Sequence, residues 1–147
     1  MAKTVAVDFD GVIHAYSKGW QDGSIYDDPM PGAFDGLRKL MESYAVFIHT
    51  TRDPLPVGNW LMERGHFDVL VEATWLDVDE DGKPDVYNDG LDREFWNEQG
   101  RILVTRRKLP AIAYVDDRGV RFESWDQALA DLSRFADAEA ARKMAQA

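Results

Sequence analysis

The 147-residue chain has no cysteine, which excludes disulfides, thiolate zinc sites and cysteine nucleophiles together. That absence suits a reducing setting, and a cytoplasmic location is the expectation. No apolar run approaches the ~20 residues of a membrane span. The first hydrophobic stretch, Val5 to Phe9, is already broken by Asp8, so no association with a membrane is expected. Histidine is scarce too, and His14, His49 and His66 lack the spacing of a zinc site; structural or solvent-facing roles are expected for all three. Basic side chains are outnumbered, 17 against 27 acids, for a net charge of −10. General nucleic-acid binding is thereby disfavoured, because proteins that neutralise phosphates carry a basic face. A small anionic substrate remains compatible if a metal screens it.

The charge that is present is uneven: residues 77–98 hold nine acids and two bases, whereas residues 101–121 hold six bases and two acids. With 45% hydrophobic residues and a length near the ~150 residues of a typical domain, residues 1–147 are expected to form one domain with a real core. Val5-Ala6-Val7, Ala45 to Ile48, Ile102 to Val104 and Ala111 to Val115 read as strands, and Val120 to Phe122 as an edge strand. Phe67 to Val71 is ambiguous between strand and loop. Phe34, Leu37, Met41 and Tyr44 repeat at helical spacing with Pro31 near the helix start. Val57, Trp60 and Leu61 mark a short helix that Gly65 is placed to stop, and Asp92 to Gln99 suggests another, closed by Gly100. The last helix carries the clearest signal, a capping box of Ser124 and Gln127 ahead of a stripe of Leu129, Leu132, Phe135 and Ala136.

Strands alternating with helices argue for an α/β fold on a parallel sheet. Residues 16–32, with Gly19, Gly23, Pro29 and Pro31, have turn chemistry and the length of a flap. The stretch at about 69–100 is longer than a simple connection and is taken as a small acidic insertion. Within it, Trp75 to Val78 and Val86-Tyr87 flank Asp79 to Lys83 as in a hairpin. Asp77-x-Asp79-x-Asp81-Gly82 also matches the start of a calcium loop, but the match fails at Pro84 and at Asn88, where the bidentate Glu should stand.

Three of the strands end in side chains suited to phosphate chemistry and a lysine follows another, at the strand carboxyl ends where open α/β sheets bind ligands. The pattern is Asp8-Phe9-Asp10-Gly11-Val12, then Thr50, then Lys108, then Asp116-Asp117. In this order and these strand contexts it resembles the four motifs of the haloacid dehalogenase (HAD) superfamily, over a span from Val5 to about Trp125. The V-D-F-D-G-V-I-H opening and the Y-V-D-D-R late motif look like those of small, capless bacterial or bacteriophage members.

The resemblance implies a Rossmann-like three-layer sandwich with a mainly parallel sheet and a minimal cap. It also implies a Mg²⁺-dependent phosphatase that hydrolyses a phosphate monoester through an aspartyl-phosphate. Asp8 would be the nucleophile, and Asp10 the acid that protonates the leaving oxygen and then activates water. Gly11 would permit the turn after the strand that re-aims Asp10 toward the same site, Thr50 would donate a hydrogen bond to the phosphoryl group and Lys108 a compact positive charge. Thr51 competes with Thr50, as Arg106 and Arg107 compete with Lys108. Arg52 and Arg118 lie beside the motifs and are candidates for substrate contact, a surface salt bridge being the alternative for each. By the same resemblance the metal would be held by the Asp8 side chain, the Asp10 main-chain carbonyl and Asp117, with Asp116 in support or sharing the task. The expected partner is a phosphorylated substrate, either a small molecule or an exposed phosphate on a larger one.

A different class of function is a non-catalytic phosphate- or metal-binding module with a HAD-like or receiver-like fold. A receiver domain also uses acids, a Thr and a Lys on a parallel sheet, but its acceptor Asp comes mid-chain, and here no Asp directly follows the second strand before Thr50.

Overall fold

The structure, a computed structural model, describes residues 2–72, 74–78, 80, 84–88 and 93–146. The chain divides into two compact units, Met1–Asp117 and Arg118–Ala147. The first holds a five-stranded sheet in which every pair is parallel, built from β1 (Thr4–Asp8), β2 (Ala45–His49), β3 (Val69–Val71), β6 (Ile102–Thr105) and β7 (Ala113–Val115) in the order β3-β6-β2-β1-β7. Helix α1 (Ala33–Met41) follows β1, and α2 (Pro54–Gly65) follows β2. This is a Rossmann-like α/β arrangement, as the alternation of strands and helices predicts. Strands β4 (Thr74–Val78) and β5 (Pro84–Asn88) form a separate antiparallel pair, with Leu76 opposite Val86. Its two arms are those expected of the acidic hairpin; the turn at residues 79 and 81–83, and most of the calcium-like pattern, lie outside the described residues.

Parallel strands covered on both faces read as unbroken apolar runs, and side-chain alternation splits each run between two cores. Val5, Val7, Val46, Ile48, Ile102 and Val104 face α1 and α2, where they meet Leu37, Val57, Trp60 and Leu61. Ala6, Ala45, Phe47 and Leu103 point the other way and are closed by Trp96 and Leu109. The ambiguous segment at Phe67 to Val71 resolves as β3, so the acidic insertion is narrower than residues 69–100. It begins after a strand of the main sheet.

Two expected elements do not form. Residues 93–100 contain no helix, because Phe95 and Trp96 are adjacent rather than three or four apart and present no stripe. Trp96 instead inserts singly into the second core, fully buried. Val120 to Phe122, in the second unit, is irregular; three residues without a partner strand do not make a sheet edge. The third departure concerns Gly65, which is the last helical residue of α2, while His66 takes the left-handed position at φ 57° and donates its N–H to the Met62 carbonyl at 3.1 Å. Gly65 is needed for packing instead, since a Cβ there would strike the Phe67 ring.

Asp53 caps α2 by accepting from the Leu55 N–H at 3.1 Å, with Pro54 in the first turn. In the second unit, α3 (Trp125–Gln146) opens with one arm of the expected capping box, the other reaching the residue before the cap. Ser124 Oγ accepts from the Gln127 N–H at 3.2 Å, and Gln127 Oε1 accepts from the Glu123 N–H at 2.9 Å. No helix among the described residues is long and apolar enough to cross a membrane.

Two helical glycines separate space from strain. A methyl group added at Gly36 would meet nothing within 4 Å, whereas one added at Gly58 would collide with Val71 of β3. Gly36→Ala is expected to stabilise the protein by about 0.5–1 kcal/mol, and Gly58→Ala to destabilise it by about 1–3 kcal/mol. Urea unfolding of the two variants checks both signs.

Candidate active site

The order of the sheet fixes where a site can form. The chain leaves β1 toward β2 on one side and later returns to place β7 on the other, so the carboxyl ends of β1 and β7 border the point where the winding changes direction. Asp8 is the last residue of β1, and Asp116-Asp117 directly follow β7. The structure brings these acids together: the charges of Asp117 and Asp116 both act on Asp8. Burial, opposed by the Phe9 N–H donating to Oδ1 at 2.8 Å and assisted by the two neighbouring acids, pushes the Asp8 carboxyl up from 3.8 to about 6. Gly11 makes the approach possible. It sits at φ +83°, and any Cβ there would collide with the Asp117 carboxylate.

After Asp8 the chain turns through one wide helical turn, in which the N–H groups of Val12, Ile13 and His14 all donate to the Phe9 carbonyl. This turn re-aims Asp10. Its Oδ1 lies 2.8 Å from His14 Nδ1, and its Oδ2 accepts from Arg52 Nε at 2.7 Å. His14 is fully buried, and its Nε2 accepts from the Asp27 N–H at 3.0 Å. A nitrogen that accepts carries no proton, so the ring proton is on Nδ1 and is donated to Asp10. Arg52 is 5% exposed. Its Nη1 donates to the Gly23 carbonyl at 2.6 Å, and its guanidinium lies over the rings of Trp20 and Tyr16 at 4.6 and 5.7 Å. Arg52 thus faces inward to Asp10 and the 15–28 loop, where the sequence suggested contact with substrate.

Thr50 directly follows β2 and is buried, whereas Thr51 is exposed. The Thr50 N–H donates to the Thr105 carbonyl at 3.0 Å, and its Oγ1 accepts from the Arg52 N–H at 3.1 Å, which leaves the hydroxyl proton able to donate. Lys108 is exposed after β6, with Nζ 4.9 Å from the centre of the Tyr114 ring. Among the described residues no ion pair joins it to Asp8. Arg106 donates from Nε to the Arg52 carbonyl at 3.0 Å, and Arg107 grips Glu72 with two hydrogen bonds of 2.7 Å. Arg118 opens the second unit, where its charge acts on Glu139 of α3.

Sequence reasoning gave no part in the site to two residues. His14 stands four residues after Asp10, the spacing that one helical turn brings together, and that was its only signal. Glu72 carried none. It is buried, accepts from Thr105 Oγ1 at 2.8 Å as well as from Arg107, and so fixes the start of the loop that bears Lys108.

Among the described residues no three His, Cys, Asp or Glu side chains are grouped as a metal site. The donor set nonetheless suits a hard cation. Two neighbouring carboxyls whose charges oppose each other, Asp8 and Asp117, are eased by a proton or a cation between them, and Mg²⁺ takes one or two carboxylates and keeps waters in its remaining positions.

A carboxyl whose pKa is raised on folding binds its proton more tightly in the fold. Its stabilising share is therefore complete below the unfolded value of 3.8 and is lost as pH rises through about 6. With divalent ions chelated, Asp8→Asn, which is neutral at every pH, is expected to raise the unfolding midpoint at about pH 7.5 and to leave it unchanged near about pH 3.5. An equal effect at both pH values, measured by thermal unfolding, would contradict the raised value. Comparison of the chain with protein-family models, with curated proteins and with solved structures returned no match in any of the three.

Proposed function

We propose that the protein is a HAD-type, Mg²⁺-dependent phosphatase that hydrolyses a phosphate monoester through an aspartyl-phosphate on Asp8. One observation carries this reading: a carboxyl at the end of a central strand, raised to about 6 and beside Asp117, with a second carboxylate held by two donors only two residues later. At pH 7 Asp8 is largely ionised and able to attack. Asp8 Oδ forms a bond to phosphorus as the ester P–O bond breaks, and the leaving oxygen takes its proton from Asp10, which enters this step as the carboxylic acid and is returned to that form by the proton taken from water in the next. Water then attacks phosphorus while the Asp10 carboxylate takes the water's proton, and the aspartyl P–O bond breaks to release phosphate. A carboxylate has about four lone-pair sites. His14 and Arg52 use two on Asp10, and its side chain is 20% exposed, so sites remain for the leaving oxygen and the water.

Thr50, with its hydroxyl proton uncommitted, donates to the phosphoryl group, and Lys108, resting on the Tyr114 ring, is assigned to the phosphoryl oxygens. The metal would be held by the Asp8 and Asp117 side chains and the Asp10 carbonyl, with Asp116 supporting; when bound, it offsets the charge of the acids and of the phosphoryl group. The three-layer, HAD-like version of the fold and the open site that a minimal cap leaves belong to the same proposal. An open site suits a small ester or a phosphate displayed on a larger molecule.

A panel of phosphate esters with Mg²⁺, repeated with EDTA, tests the function. Turnover that needs Mg²⁺ and vanishes in Asp8→Asn is expected; phosphate or metal binding without turnover would establish the non-catalytic module instead. A Mg²⁺ titration assigns the late acids. Asp117→Ala is expected to raise the concentration for half-maximal activity more than Asp116→Ala, while Lys108→Ala lowers activity at every concentration. Full rescue of Lys108→Ala by added Mg²⁺ would contradict the role given to the lysine.

A further inference from the structure

Both oxygens of Asp10 are tied, through one side chain each, to the backbone of the 15–28 loop. Oδ1 is held by His14 Nδ1–H, whose other ring nitrogen accepts the Asp27 N–H; Oδ2 is held by Arg52 Nε–H, whose Nη1 donates to the Gly23 carbonyl. The loop itself is braced. His14 pairs with Pro29 in an antiparallel bridge, the Ala15 N–H donates to the Asp28 carbonyl at 3.0 Å, and the Met30 N–H to the Ile13 carbonyl at 2.7 Å. Hydrogen bonds from the Ser17 hydroxyl, the Ser17 N–H and the Asp28 N–H hold the Asp27 carboxyl down to about 2 and fix the residue whose N–H meets His14.

The imidazole has little freedom of its own. It is fully buried, stacked on Phe9 at 5.5 Å and enclosed by the rings of Tyr26, Tyr16 and Trp60 at 5.3, 5.8 and 6.0 Å. A buried histidine could be satisfied by any two polar neighbours. This one spends its single proton on Asp10 and its single lone pair on the loop, so moving the loop at Asp27 pulls on the ring that aims Asp10.

We propose that His14 is the positioning residue for Asp10, transmitting the conformation of the 15–28 loop to the carboxylate that activates water. The inference rests on the phosphatase reading. It assigns the loop a part in the chemical step beyond covering the site, because a base displaced by about 1 Å loses on the order of 10²-fold in rate.

The test separates the two ring nitrogens. Asparagine places an amide N–H where Nδ1 stands and restores the donor to Asp10; glutamine reaches the Nε2 position and keeps the acceptor for Asp27 without that donor. With p-nitrophenyl phosphate, whose leaving group needs little help from an acid, His14→Gln is expected to show a burst of nitrophenolate. A steady rate lowered by about tenfold or more should follow, with phosphorylated protein visible by intact mass. His14→Asn, which keeps the donor to Asp10 but severs the link to Asp27, is expected to abolish the burst and to recover the steady rate only in part, to about threefold or more below wild type; recovery to the wild-type rate overturns the part given to the loop. A rate loss without a burst, or equal behaviour of the two variants, overturns the positioning role while leaving the phosphatase reading intact. No turnover by the wild-type protein overturns both. Should His14→Gln not fold, long-range ¹H–¹⁵N correlation on the wild-type protein decides: Nδ1 protonated with Nε2 bare is expected, and the opposite tautomer or an imidazolium overturns the proposal.

Discussion

The arrangement of the site follows from one constraint, the crowding of carboxyl groups at the carboxyl ends of β1 and β7. Asp8 is partly buried beside Asp116 and Asp117, and like charges in a partly desolvated place repel unless a proton or a cation joins them. The fold accepts that cost at a point where the parallel sheet changes direction and where Gly11, at φ +83°, lets Asp117 come close. Such a concentration of negative oxygen is of little use to a structural core. It is useful for binding a hard cation and for presenting an activated carboxylate to an electrophile.

The second acid is treated in the opposite way. Asp10 is surrounded by donors, from His14 and Arg52, and neither of the charges that crowd Asp8 is needed to place it. Two carboxyls separated by one residue thus stand in contrasting environments, one desolvated and pressed by other acids, the other held by hydrogen bonds. Elsewhere in the sheet the buried Glu72 holds Arg107 and Thr105 and so anchors the start of the loop that follows β6.

Much of the sheet was legible in the sequence because parallel strands, buried on both faces, must be apolar throughout. Val5 to Val7, Ala45 to Ile48 and Ile102 to Val104 announce themselves in this way. The strand-end residues Asp8 and Thr50 were legible by position, since each lies at or just beyond the end of such a run, and Asp117 by its place after the apolar segment Ala111 to Val115, although that strand is exposed. What periodicity does not encode was not. Trp96 comes from an irregular segment and packs singly on the second face of the sheet, so its sequence neighbours give it no period. Gly65 looked like a helix stop but exists to admit the Phe67 ring, a contact visible only once the chain is folded. Arg52, beside the motifs, left substrate contact and a surface salt bridge both open, and the acceptors that turn it inward to an ion pair, Asp10 and the Gly23 carbonyl, come from a segment some thirty to forty residues earlier. His14 and Glu72 were missed for the same reason, their partners being fixed by tertiary structure.

The central claim is that Asp8 becomes covalently phosphorylated during turnover, and it can be read directly at the residue. Protein quenched in the steady state with a phosphate ester and Mg²⁺ is treated with borohydride, which reduces an acyl phosphate to an alcohol, and the peptides are analysed by mass. Conversion of Asp8 to homoserine, dependent on both ester and Mg²⁺, is the expected result; turnover with reduction at Asp10, Asp116 or Asp117 instead, or with no reduced residue even in Asp10→Asn, would contradict the account.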